Sequence, residues 1–137
     1  MKRIIALFSI LILFTFCGYS SQNEAVRNVK VKKVNSDIYS EQDINEAIVA
    51  VKKYFLKNFS GCRLERIAYA GDKTTKRVSQ DLSNVTNEEV IVLVSDFYVK
   101  PNGGDGSLIT DYTYTGWGWI LLKNSDGKWE HLDHGDV

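Results

Sequence analysis

The chain has 137 residues, room for one domain and little more. Hydrophobic residues make up 44% and charged residues 25%, which is the balance of a chain that folds and not of a disordered one. Seventeen basic side chains match 17 acidic ones, so there is no electrostatic reason to expect a nucleic-acid partner.

The chain opens as a leader over residues 1–20. Lys2 and Arg3 form a positive start, and Ile4 to Phe16 follows without a charge. Such a run is short of the roughly 20 residues that span a bilayer, and it matches the apolar core of a signal peptide. Three endings are open. Cys17 directly follows the apolar run and is a candidate for lipidation, as in a bacterial lipoprotein, although Phe16 and Phe14 stand where smaller residues and Leu are usual. Gly18-Tyr19-Ser20 offers a site for ordinary cleavage. The third ending is an uncleaved anchor. The expected location is extracytoplasmic in all three, either secreted or anchored to the cell membrane through the N-terminus.

Residues 21–39 read as a polar tether before a single domain at 40–137. Arg27, Lys30, Lys32 and Lys33 cluster there, within reach of anionic head groups if the N-terminus is on a membrane. Val29 and Val31 can start a short strand. The clearest helix is Glu41 to Phe59. Ser40 is a suitable N-cap, and Ile44, Ala47, Ile48, Val51, Phe55 and Phe59 form one apolar stripe. Gly61 can end it in the left-handed conformation.

The remainder reads as strands. Arg63 to Ala70 is one; Gly71 to Asn87 is polar and reads as a loop or weak edge strand. Glu89 to Val99 is rich in Val and Ile and apolar on both faces. A glycine-rich loop at 101–106 leads to a long strand, Tyr112 to Asn124, with Gly116 and Gly118 inside it, where a bulge or bend is expected. Asp126-Gly127 suggests a two-residue hairpin turn. That register sets Lys123 against Glu130, Leu121 against Leu132 and Trp119 against His134.

Four groups of residues are candidates for chemistry. His131 and His134 resemble metal ligands, but strand alternation points them to opposite faces, so no metal site is expected. The loop 102–107 lacks the lysine and helix of a phosphate loop and the carboxylates of a calcium loop. Trp117 and Trp119 share a strand face and are either core or a stacking platform. Asp96 shares its face with Val92, Val94 and Tyr98, and a carboxylate among apolar neighbours is expected to hold its proton more tightly. It is the weak candidate for a catalytic acid or base. The expected ligand site therefore comprises Asp96, Tyr98, Trp117 and Trp119. With two cysteines, Cys17 and Cys62, lipidation of the first leaves Cys62 unpaired, and it then reads as a small buried apolar residue.

The stretches Y-S-E-Q-D-I-N-E-A-I, V-L-V-S-D-F-Y-V and Y-T-Y-T-G-W-G-W-I-L-L-K-N-S-D-G-K-W resemble uncharacterised small exported proteins of Gram-positive bacteria, chiefly clostridia. The order of helix and strands is similar to cystatin-like and nuclear-transport-factor-2-like folds. The resemblance implies an α+β domain with one long helix on a curved antiparallel sheet of about four strands, and it implies no activity. Two functions are expected from these features. The first is a non-catalytic extracytoplasmic module that binds a small molecule or a protein without a cofactor. The alternative is a small enzyme using Asp96 inside the curved sheet.

Overall fold

The computed structural model describes residues 24–137. The leader and Cys17 lie outside the described residues. Eight elements follow in chain order: α1 (Glu24–Arg27), β1 (Lys30–Lys32), α2 (Glu41–Asn58), β2 (Cys62–Tyr69), α3 (Asp72–Asp81), β3 (Val90–Val99), β4 (Tyr112–Lys123) and β5 (Trp129–Gly135). The strands lie side by side in sequence order, β1-β2-β3-β4-β5.

α2 forms because its start is capped and one face is apolar. The Ser40 hydroxyl accepts from the Asp43 N–H at 3.1 Å, and the Asp43 carboxylate accepts from the Ser40 N–H at 3.3 Å. This reciprocal cap satisfies two donors the helix cannot satisfy itself. Ala47, Ile48, Val51 and Phe55 are buried, in one cluster with Leu64, Ile67, Leu93, Phe97, Trp119 and Leu121 of the sheet. The core is therefore the layer between α2 and one sheet face, here called the inner face.

The expected sheet of about four antiparallel strands needs correcting. β2 to β5 are antiparallel, but β1 adds a fifth strand, parallel to β2. The part read as a tether carries that strand. Ala25, Val26, Val29, Val34 and Tyr39 pack against the core. The Ser36 hydroxyl and the Asp37 N–H donate to the Asp72 carboxylate at 2.6 and 2.8 Å, and the Tyr69 hydroxyl donates to it at 2.8 Å. The bonds from Ser36 and Asp37 hold the Asp72 carboxyl below the usual carboxylate range.

The stretch 71–87, expected as a loop or edge strand, contains α3. Its sequence D-K-T-T-K-R-V-S-Q-D has one aliphatic residue, Val78, which packs with Val90 and Val92 on the outer sheet face. Its other inward residue is Thr75, whose hydroxyl accepts from the buried Val92 N–H at 3.2 Å. A polar residue does the packing here, so hydrophobic periodicity does not show the helix.

The hairpin register also differs in part. Trp119 pairs with His134 as expected, and Ile120 with Asp133, but Leu121 pairs with His131 and Lys123 with Trp129. The turn is one residue longer than two. Asn124 N–H donates to the Lys128 carbonyl, its side chain accepts from Asp126 and Lys128, and Gly127 takes the left-handed conformation at φ 75°. The ladder regains its expected phase only after Leu132 bulges out between His131 and Asp133.

Candidate functional site

The C-terminal end of α2, the 100–111 loop and the inner faces of β4 and β5 meet around a cleft of about 290 Å³. Tyr54, Asn58 and Phe59 come from α2 and its cap; Gly104, Asp105, Ser107 and Leu108 from the loop; Trp117 from β4; His134 from β5.

The loop is held to the helix end by main-chain contacts. Gly61 ends the helix region at φ 69°, the Lys100 N–H donates to its carbonyl at 3.0 Å, and the Gly104 N–H donates to the Ser60 carbonyl at 2.7 Å. Between them Gly103 lies so close to Gly61 that a Cβ on Gly103 would overlap the Gly61 carbonyl oxygen. Glycine is required there by contact, not by turn geometry. On the rim, the Asp105 carboxylate accepts from the Ser107 N–H at 2.9 Å and from the Ser107 hydroxyl. The first of these causes is the hydroxyl bond, and together they hold the Asp105 carboxyl below its ordinary range.

The floor is aromatic. Tyr54 stacks on His131 with ring centres 3.7 Å apart and planes 11° apart. His131 Nε2 lies 2.9 Å from His134 Nδ1. Trp117 lies over His134 at 5.8 Å and 27°. Its indole N–H is buried without a hydrogen-bond partner among the described residues. Burial lowers the His131 pKa from its ordinary 6.5, the charge of His134 lowers it further, and Asp133 opposes both. The expectation that His131 and His134 face opposite ways is thus corrected. Alternation fails because Leu132 is an extra residue, and both imidazoles end on the inner face. Among the described residues no group of three or more His, Cys, Asp or Glu is placed to hold a metal. Beyond the Tyr54–His131 wall lies a wider trough of about 750 Å³, bordered by Lys53, Lys57, Trp129 and Glu130.

The four residues expected to form a ligand site are divided by the sheet. Trp119 is fully buried on the inner face, and its indole N–H donates to the Ser95 hydroxyl at 2.7 Å. Trp117 is on the same face and lines the cleft. Asp96 and Tyr98 alternate with Ser95 and Phe97 and so point to the outer face. There the Asp96 carboxylate accepts from the Gly116 N–H at 3.0 Å, in the bulge where β3 and β4 change register, and lies 3.9 Å from the Arg66 guanidinium. The Tyr98 hydroxyl donates to Asp111 at 2.6 Å. Trp117 is the one member of the expected set that lines this cleft.

Sequence reasoning missed Tyr54 and Asn58; it weighed His131, His134 and the loop that carries Asp105 as metal, phosphate or calcium sites and set them aside. Tyr54 sits beside the apolar stripe of α2, and Asn58 follows it by four residues, so both share one helix side. That spacing is the signal that could have found them. Nothing local marks the bulge at Leu132.

The cleft lining offers a flat indole, the His134 imidazole, an amide, a hydroxyl and a carboxylate. The Ser107 hydroxyl donates to a carboxylate and not to an imidazole, which is not how a serine nucleophile is activated. No known protein family matches the chain, and no curated protein or solved structure shows significant similarity to it.

Proposed function

We propose that this domain is a non-catalytic extracytoplasmic binding module that takes a compact, hydroxyl-rich ligand, of the size of one saccharide unit, in the cleft at the end of α2. The observation that carries this is the pairing of the Trp117 face with Asn58, Asp105, Ser107 and His134 around about 290 Å³. A flat aromatic beside several donors and acceptors suits a molecule with one apolar face and many hydroxyls. The division of the expected site speaks for binding over the Asp96-based enzyme, because Asp96 lies across the sheet from the cleft and serves the Gly116 N–H.

The order of α2 followed by four antiparallel strands supports a cystatin-like arrangement over a nuclear-transport-factor-2-like one. Export, with lipidation at Cys17, completes the reading; an apolar run directly before the cysteine is its support.

The test is a titration of monosaccharides and disaccharides followed by tryptophan fluorescence. Saturable binding that is lost in Trp117→Ala and weakened in Asn58→Ala is expected. A wild-type protein that binds none of the panel overturns the ligand class. Binding that survives Trp117→Ala overturns the site.

A further inference from the structure

Cations cluster along one edge of the sheet. β1 is its outermost strand, and all three of its residues are exposed. The register sets Lys30 beside Arg66 and Lys32 beside Ala68, so both lysines share the outer face with Arg66. Arg63 lies on that face as well, over the Tyr98 ring. Lys33 follows, with most of its side chain in solvent and 3.8 Å from Glu41. Acids temper this edge at Glu65, which pairs with Arg63, and at Asp96, 3.9 Å from Arg66. The far edge carries both signs: Asp126, Glu130, Asp133 and Asp136 lie along β5 and its flanks, and Lys128 with Lys53 and Lys57 of α2 borders the trough beside it.

The basic edge is also the one closest to the leader. The apolar run ends at Phe16 and α1 begins at Glu24, so only Cys17 to Asn23 join them. Seven residues reach at most about 25 Å. α1 and the residues after it are packed on the domain through Ala25, Val26 and Val29. A leader held at a bilayer therefore keeps β1 near its surface. Val31 of β1 adds exposed apolar area at the same edge, 49% accessible.

We propose that the β1 edge is a docking surface for an anionic lipid bilayer. Lys30, Lys32, Lys33 and Arg66 lie against the head groups, and the β5 edge, with the cleft between Trp117 and His134, is turned outward. Each cation near an anionic surface adds attraction, and the effect fades within a Debye length. The proposal rests on the leader reading and is independent of the cleft's ligand.

The experiment uses the full chain with vesicles of phosphatidylcholine, alone or mixed with phosphatidylglycerol. Flotation on neutral vesicles reports the leader by itself. Docking is read as the rate at which a water-soluble acylating reagent modifies each lysine, measured by mass spectrometry. On anionic vesicles Lys30, Lys32 and Lys33 are expected to react several-fold more slowly, with recovery at high salt and no change at Lys128. Lys30→Glu with Lys32→Glu should restore the Lys33 rate, and each charge removed should weaken the surface interaction about fivefold. Equal rates on the two vesicle types overturn the proposal, whether or not the chain floats. Protection at Lys128 in place of Lys30 overturns it too.

Discussion

His131 and His134 face each other through their ring nitrogens at 2.9 Å because Leu132 stands out of the β5 ladder between them. One extra residue in an edge strand turns two side chains that should diverge into a pair. His134 lines the cleft, and its partner His131 stacks on Tyr54 of α2. The pair is also expected to make the fold sensitive to acid.

The sign follows from the direction of the His131 shift. Burial and the neighbouring His134 depress its pKa below 6.5 in the folded protein. The unfolded chain takes up a proton that the folded chain resists, so stability falls as pH drops below about 6.5. Urea midpoints at about pH 7 and about pH 5 measure it, and His131→Phe should flatten the difference. A wild-type slope unchanged by that substitution would show that His131 is not its source.

Thr75 holds α3 to the sheet through a buried backbone donor. Its hydroxyl accepts from the Val92 N–H where Thr75 itself is 2% exposed. Thr75→Val keeps the shape and orphans that N–H. The expected loss is about 1–3 kcal/mol in denaturant melts, while Thr75→Ser should recover most of it. Equal stability of the Val and Ser variants would mean the bond contributes nothing.

Asp96 is expected to act on structure alone. Asp96→Asn keeps an oxygen for the Gly116 N–H and loses only the long contact with an exposed Arg66, which is worth little. It should leave the melting temperature nearly unchanged. Asp96→Ala should cost about 1 kcal/mol. Neither should alter binding in the cleft across the sheet, and a change in ligand affinity would return Asp96 to the site.

Ile48 tests the core. It is 3% exposed on the apolar face of α2. Ile48→Ala should cost about 2–4 kcal/mol. A loss below about 0.5 kcal/mol would place that face against solvent.

What the sequence discloses depends on whether apolar residues do the work. α2 is legible because Ser40 caps it and Ile48, Val51 and Phe55 recur at helical spacing. β3 is legible because Val90 to Val94 are buried by helices on both faces of the sheet, all but Val94 fully. α3 is hidden because a threonine hydroxyl does part of its packing. Alternation correctly puts Trp117 with Trp119 and Asp96 with Tyr98. It cannot say which pair shares a face, because that depends on the β3–β4 register, and the register shifts at Gly116. The cleft was invisible for a similar reason: it is assembled by a bulge and by the contact of Gly61 with Gly103, far apart in the chain.

The Ser60–Gly104 hydrogen bond has a consequence for how motion at this corner can be observed. Cys62 is the free thiol among the described residues, 2% exposed, with its sulfur 3.7 Å from the Ser60 carbonyl. Burial pushes its pKa above the ordinary 9.0, and the Gly104 N–H pulls it back in part. A closed corner shields a thiol that is also weakly ionised, so alkylation waits for the corner to part. The rate at which Cys62 is trapped under native conditions is then a clock for loop release, carried by the native chain without an added probe. If a ligand seats against Asp105 and Ser107 on that loop, the clock should slow as the ligand is titrated in. Cys62 thus lets occupancy be timed by chemistry at a residue outside the cleft lining.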